Sequence, residues 1–327
     1  KTREEEEEVD VEQNHQLQRL RDFMAGLPER EHPPFRFRHF RGHWFKEHLL
    51  LGILAARQHF VARPDDIVLA SCQKCGTTWL KSLAFSVVSR DGDRHPRSPR
   101  HPLLATNIHE CIPLVELIHM NPRVVDKLAS SPPRLVSTHM PWPVLRDSVE
   151  GSSTCRLVYI CREPKDALTS LWHFWKGIHD LPSGEFEAIF EMFCTGVIPF
   201  GPIWEHALGY WEEHRRRPNE VMFLRYEDLK REPAAVVRRL AAFLGNPFSQ
   251  EEERDGVVED VLSLCSLENM KGLEVNKGGM LLGTPVQKKL FFRKGEVGDW
   301  ANLLTPEMVE RIDGITKDKL RGSGLIL

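Results

Sequence analysis

The sequence predicts an α/β fold, a central, mostly parallel sheet with helices on both faces. Short apolar runs at Ile67–Ala70, 132–138, Arg156–Cys161 and Val221–Arg225 alternate with longer stretches of helical periodicity. Strands buried on both faces of a parallel sheet read as such runs. The first run leads into a turn holding Lys74 and Gly76, then into a helix that opens on Thr77 and Thr78. A strand, turn and helix of this kind form an anion cradle. The first-turn N–H groups have no intrahelical partner, and the helix dipole is positive at that end.

Along the chain, residues 1–30 read as an acidic, mobile, partly helical tail, ended by Pro33–Pro34. The aromatic stretch 35–60 follows, and its second half, Trp44–Phe60, has helical spacing. Arg63–Asp66 turns into the cradle strand. After the cradle helix, Arg90–Pro102 is a loop by composition. Helices are expected at Lys165–Ile178, Glu185–Thr195 and Pro202–Arg216, and another after Val221–Arg225 that Gly245 closes. Residues 249–270 read as helical and 271–298 as a Gly- and Lys-rich loop, and Thr305–Pro306 opens the last helix. No repeat or linker interrupts residues 31–327, which read as one domain.

The net charge is −3, but the first twelve residues carry seven acids and two bases. The remainder holds 42 bases and 40 acids. A near-neutral body of this kind does not suggest a nucleic-acid binder, which usually shows a marked basic excess. Seven scattered cysteines, with no signal peptide or membrane-length apolar run, point to a reducing cytoplasm. No His/Cys/Asp/Glu cluster has metal-ligand spacing, so no metal is expected.

Three further segments supply chemistry that a phosphate-bearing ligand needs. His139, in RLVSTHMPWPVL, lies just past a strand end, where open α/β sheets place ligands. A histidine there can take a proton from a hydroxyl near neutral pH. Arg162 ends a strand in YICREPKDALTSLWHFWK, with Ser170 about two helical turns on, and its planar fork suits a phosphate monoester. FFRKGEVGDW packs Arg293, Lys294 and Gly295 into one short loop, where glycine lets the backbone approach and the cations neutralise. Each feature alone is common on protein surfaces or in cores.

Lys74 precedes Gly76, so the cradle is not a Walker loop, in which Lys follows Gly. The order instead resembles the phosphosulfate-binding loop of cytosolic sulfotransferases, PK[ST]GTTWL, matched at Lys74, Gly76, Thr77, Thr78, Trp79 and Leu80. Gln73 replaces the usual Pro, and Cys75 the usual Thr or Ser. The other segments resemble the family's [ST]H[LMV]P, YxxRDPKDxxVSxxHF and RKGxxGDW in the same order. Glu163 replaces Asp, and Ser137 stands where many animal members have Lys. Together the segments span residues 67–300 and are most similar to the plant members.

The resemblance implies a P-loop-like, sulfotransferase-type nucleotide-binding fold and the donor 3′-phosphoadenosine 5′-phosphosulfate, with 3′-phosphoadenosine 5′-phosphate (PAP) as product. It implies in-line transfer of a sulfuryl group to a hydroxyl, with His139 as general base and Lys74 on the departing phosphate. Cys75, Gly76, Thr77 and Thr78 would complete the phosphosulfate loop. Arg162, Ser170, Arg293, Lys294 and Gly295 would hold the 3′-phosphate. Trp79, Tyr226 and Ser266 would contact adenine, with Leu267 in place of a family Phe. Plant-type relatives act on flavonoids, brassinosteroids, hydroxyjasmonates, desulfoglucosinolates and strigolactone precursors. His43, Trp44, Phe45, Trp142, Trp172, Phe174, Trp175 and Met280 could line an acceptor pocket, with Asn276–Pro285 closing over it; core packing is the alternative for each. Of the animal dimer motif KxxxTVxxxE only Thr305 and Glu310 remain, which favours a monomer or weak homodimer. The partner expected is a small hydroxylated acceptor, with neither nucleic acid nor membrane.

Other readings use the same residues. Cys72 and Cys75 form a C-x-x-C at a strand-to-helix turn, as in thioredoxin-like oxidoreductases. A binding protein with chemistry weakened by Gln73 and Cys75 is a second, and a small-molecule kinase a third, though neither a Walker Lys nor a magnesium ligand is visible.

Overall fold

The structure, a computed structural model, describes residues 15, 17–88, 90–120, 134–150, 155–281 and 283–327. The acidic run Glu4–Glu8, Pro132, Pro133 and Leu282 lie outside the described residues. Strands β1 (Glu29–His32), β2 (Phe35–Phe40) and β3 (His43–Lys46) form an antiparallel sheet. Here the sequence reading needs correction. Trp44 and Phe45 lie on β3, and helix α1 (Glu47–His59) begins only after them. The β2–β3 turn places both Arg41 (φ 49°) and Gly42 (φ 84°) in the left-handed region, the backbone of a tight hairpin. Phe35 and Phe37 point inward from alternate positions of β2 while Arg36 is exposed between them. The tail boundary also shifts. Residue 30 falls inside β1, and Leu20 and Met24 are buried in the core.

Four strands form the parallel sheet: β4 (Ile67–Ser71), β5 (Leu135–Thr138), β6 (Arg156–Cys161) and β7 (Val221–Arg225), in the order β5-β4-β6-β7. Alternate residues feed two separate cores. Ile67, Leu69, Val158 and Ile160 pack on helices α2 (Thr77–Val88), α7 (Pro233–Phe243) and α8 (Val257–Leu264). Val68, Ala70, Leu157 and Tyr159 face the other way. They pack with α1, α3 (Trp142–Val149), α4 (Pro164–His179), α5 (Ile203–Arg216), α10 (Pro306–Lys319) and the aromatic hairpin. Phe37 and Phe45 are fully buried there, each stabilising by about 1.5–3 kcal/mol. The two short helices α6 (Tyr226–Arg231) and α9 (Leu267–Gly272) complete the frame of the site.

Strand register brings the carboxyl ends together. Ala70 pairs with Thr138, Ser71 with Ile160, and Cys161 with Arg225. The residues that follow these ends, Lys74, His139, Arg162 and Tyr226, therefore meet along one edge of the sheet. The chain leaves β4 for β5 on one side and returns to β6 on the other, which makes this edge a topological switch point where open sheets bind ligands.

Candidate active site

The β4–α2 turn is tight. Lys74 adopts φ 66° and Gly76 φ 106°. A Cβ at Gly76 would stand 2.8 Å from the Tyr226 ring and 3.1 Å from Ile160, so only glycine fits. Leu80 N–H donates to the Gly76 carbonyl (3.0 Å). The first-turn N–H groups therefore open toward the turn. Thr77 and Ser71 share a hydrogen bond between hydroxyls (2.6 Å). Lys74 Nζ lies 3.9 Å from the Phe174 ring centroid and 5.8 Å from that of Phe291. No ion pair among the described residues neutralises it. Burial, with Arg162 and Arg293 close by, pushes its ammonium down to about 7. A cation kept from carboxylates and seated on aromatic faces is suited to receive an anion.

His139 follows β5 directly. Its Nδ1 donates to the Ser71 carbonyl (2.8 Å), since a carbonyl only accepts. That bond fixes the neutral tautomer with its lone pair on Nε2. The peptide is held on both sides. His139 N–H and the Thr138 hydroxyl donate to Glu116 Oε1, and His206 Nε2–H donates to the His139 carbonyl (2.9 Å). Burial first, then the charges of Lys81 and Lys74, push the imidazole down to about 4. It is thus neutral at pH 7 and free to accept a proton. Phe200, at φ 65°, sets its ring 5.3 Å from that of His139, a left-handed conformation costing about 1–2 kcal/mol.

Arg162 is buried, its guanidinium 4.6 Å from the Tyr226 ring centroid. It donates to the Glu296 carbonyl (2.6 Å), but its Nε has no partner among the described residues. An orphaned buried guanidinium N–H beside a glycine-lined turn suits a phosphate oxygen. The 293–300 loop is tied down by Asp166, which accepts from Gly298 N–H (2.8 Å) and Trp300 N–H (3.1 Å). Arg293 and Lys294 both donate to Asp299, and those bonds hold its carboxyl well below the usual range. Gly295 adopts φ 65°, and a Cβ there would stand 2.8 Å from Leu267. Glu163, where the family pattern has Asp, still caps α4 by accepting from Asp166 N–H (3.0 Å).

Most residues expected from sequence come together here, with adjustments. The Tyr226 hydroxyl donates to the Gly295 carbonyl (2.9 Å), so its proton braces a loop and is not offered to a base edge. Trp79 packs edge-on to Tyr226 at 5.7 Å. The Ser266 hydroxyl caps α9, accepting from Asn269 N–H (3.2 Å). Ser170 is half-buried on α4. Ser137 points inside and donates to the Pro113 carbonyl (3.0 Å). Trp142, Trp172 and Trp175 belong to the core, whereas Met280 is exposed. Phe174 lies against Lys74. His43 is buried, its Nδ1 3.3 Å from the Phe200 carbonyl, and Trp44 bridges to Gly201. Sequence reasoning missed His109, Glu116, Phe200 and His206. Glu116 lies on the 3-10 helix Val115–Met120, three residues after Pro113, and nothing in its local pattern marks it.

Comparison with known proteins identifies the family. The sulfotransferase domain family matches residues 64–324. Cytosolic sulfotransferase 6 of Arabidopsis thaliana is 46% identical over 293 residues, covering 88% of each chain. The solved structure of a putative steroid sulphotransferase from Arabidopsis thaliana superposes with a TM-score of 0.74 at 33% identity, covering 94% of both chains. A mouse sulfotransferase complexed with PAP gives a TM-score of 0.65 at 28% identity, over 88% of this chain and 95% of that one. The thioredoxin-like alternative falls with the fold. Cys72 and Cys75 are buried, and their mutual hydrogen bond and burial push the Cys75 thiol well above its ordinary value. The chain belongs to the plant-type cytosolic sulfotransferase family and is a sulfotransferase.

Proposed function

We propose that this protein transfers a sulfuryl group from 3′-phosphoadenosine 5′-phosphosulfate to a hydroxyl of a small plant metabolite. Flavonoids, brassinosteroids, hydroxyjasmonates and strigolactone precursors are the candidate acceptors. The observation that carries this reading is the meeting of Lys74, His139 and Arg162 at adjacent strand ends, with Lys74 unneutralised and the His139 Nδ1 already committed to Ser71. When bound, the donor supplies an activated sulfuryl group, and PAP is left behind.

The residues divide the work. Lys74, Thr77, Thr78 and the N–H groups from Cys75 onward hold the 5′ end. Arg162, Ser170, Arg293, Lys294 and Gly295 hold the 3′-phosphate. Trp79, Tyr226 and Ser266 frame the adenine. His139 Nε2 takes the acceptor proton, and Lys74 stabilises charge on the phosphate oxygen as it develops, often the largest single term in catalysis. Burial and two nearby cations keep His139 weakly basic. Neutralising Lys74 lifts one of those restraints. Phe174, Phe200 and Phe291 give the reacting groups apolar walls, which suits a ring-bearing acceptor and helps exclude water. A cytoplasmic location fits relatives that are named cytosolic sulfotransferases, and a monomer or weak homodimer fits a dimer motif of which only Thr305 and Glu310 remain; among the described residues no helix is long and apolar enough to cross a membrane.

Incubation with labelled donor and a panel of hydroxylated plant metabolites tests the proposal. Label should move to at least one acceptor class. Tight PAP binding with no transfer to any acceptor would favour the weakened binding-protein reading instead.

A further inference from the structure

Beside the cradle lie Lys81, buried, and His109, half-buried, to which no role is given above beyond the charge that Lys81 presents to His139. Lys81, one turn into α2, is 1% exposed. His109 sits on the single helical turn Ile108–Cys111, its ring centroid 4.1 Å from that of Phe291. Lys81 Nζ lies 3.2 Å from His109 Nδ1 and 3.2 Å from the Ile112 carbonyl. His109 Nε2 lies 3.0 Å from Thr78 Oγ1.

The direction of this chain follows from its first member. An ammonium only donates, so His109 Nδ1 must accept. The imidazole then carries its proton on Nε2, and Nε2–H donates to Thr78 Oγ1. A hydroxyl that accepts there keeps its own proton to donate elsewhere. Burial and the Lys81 charge push His109 well below its ordinary value, which excludes the doubly protonated ring. Burial pulls the Lys81 ammonium down to about 7, with the charge of Glu116 opposing that fall, so the chain runs in this direction while Lys81 is protonated. The chain matters more here than it would with a hydroxyl at position 75. Cys75 offers none, and Thr77 already shares its hydroxyl with Ser71.

We propose that Lys81, His109 and Thr78 form a directed hydrogen-bond relay that presents the Thr78 proton to the 5′-phosphate of the bound nucleotide. Lys81 and His109 are positioning residues for donor binding. This rests on the reading that Thr78 belongs to the nucleotide cradle.

The test is calorimetric titration with PAP, which needs no turnover. Thr78→Val, His109→Ala and Lys81→Met should each weaken PAP about tenfold, the scale of one well-placed hydrogen bond to a charged group. His109→Gln, whose amide can accept from Lys81 and donate to Thr78, should keep most of the affinity. In a Thr78→Val background, His109→Ala should add nothing further. Thermal melts of each variant report folding separately. An equal loss from His109→Ala with and without the Thr78 hydroxyl would overturn the relay, as would melts that shift while PAP affinity does not. If folded wild-type protein gives no PAP binding, the nucleotide reading itself falls and the relay with it. If the wild type binds and Lys74→Ala weakens binding while the relay variants do not, only the relay falls.

Discussion

Lys74 and Arg293 sit in two short glycine-bearing loops, and their charges are managed differently. Lys74 rests on the ring of Phe174, with two other cations near it and no carboxylate partner among the described residues. Arg293 and Lys294 are already paired with Asp299. The first loop holds its cation at electrostatic disadvantage until an anion arrives. The second is neutralised beforehand, so a phosphate there must share or displace a carboxylate. Removing the lone cation should therefore do far more damage than removing a paired one. Arg162 stands between these extremes, buried and only partly satisfied.

The largest effect should follow Lys74→Ala. Turnover should fall about 10²–10³-fold, the scale of one lost stabilising contact to developing charge, with circular dichroism unchanged. A tenfold fall or less would break the contrast between the loops. Arg162→Ala should come next, weakening PAP by about 10²-fold, since truncating one partner of a buried charged contact costs roughly 2–5 kcal/mol. Calorimetry measures it directly.

A pH series sharpens the same contrast. Burial lowers Lys74 to about 7, and an anion binds its protonated form. The protonated fraction falls as pH rises, so PAP affinity should fall above pH 7, by at most about tenfold per unit for one proton. Lys74→Arg, which stays charged, should flatten much of that decline. A steep fall that survives in Lys74→Arg would assign the proton elsewhere. The smallest effect should be Arg293→Ala, a loss of only several-fold in PAP affinity, because Asp299 already compensates the guanidinium. A loss as large as that from Arg162→Ala would show that the Asp299 pair does not discount this cation.

The parallel strands were legible because burial on both faces leaves an uninterrupted apolar run. Arg156–Cys161 and Val221–Arg225 are found where the sequence places them. The aromatic hairpin was not. In Phe35–Lys46 the aromatics satisfy two periodicities, and the tight turn at Arg41–Gly42 decides between them only through backbone conformation. The same divide runs through the site. Lys74, His139 and Arg162 follow strand ends, and their neighbours in sequence declare them. Glu116, His109 and His206 reach the site across long chain separations, and only packing reveals them. The hydroxyls of Ser266 and Tyr226 serve the protein's own backbone, which no sequence pattern declares.

The central claim is that one nucleotide bridges the two loops, its 5′ end at Lys74 and its 3′-phosphate at Arg162 and Arg293. Parallel calorimetric titrations of the folded protein with PAP and with adenosine 5′-phosphate, which lacks the 3′ group, test it most directly. The account predicts that PAP binds about 10²-fold tighter, as loss of a buried charge-assisted contact implies. Equal affinities, or no binding of PAP at all, would contradict it.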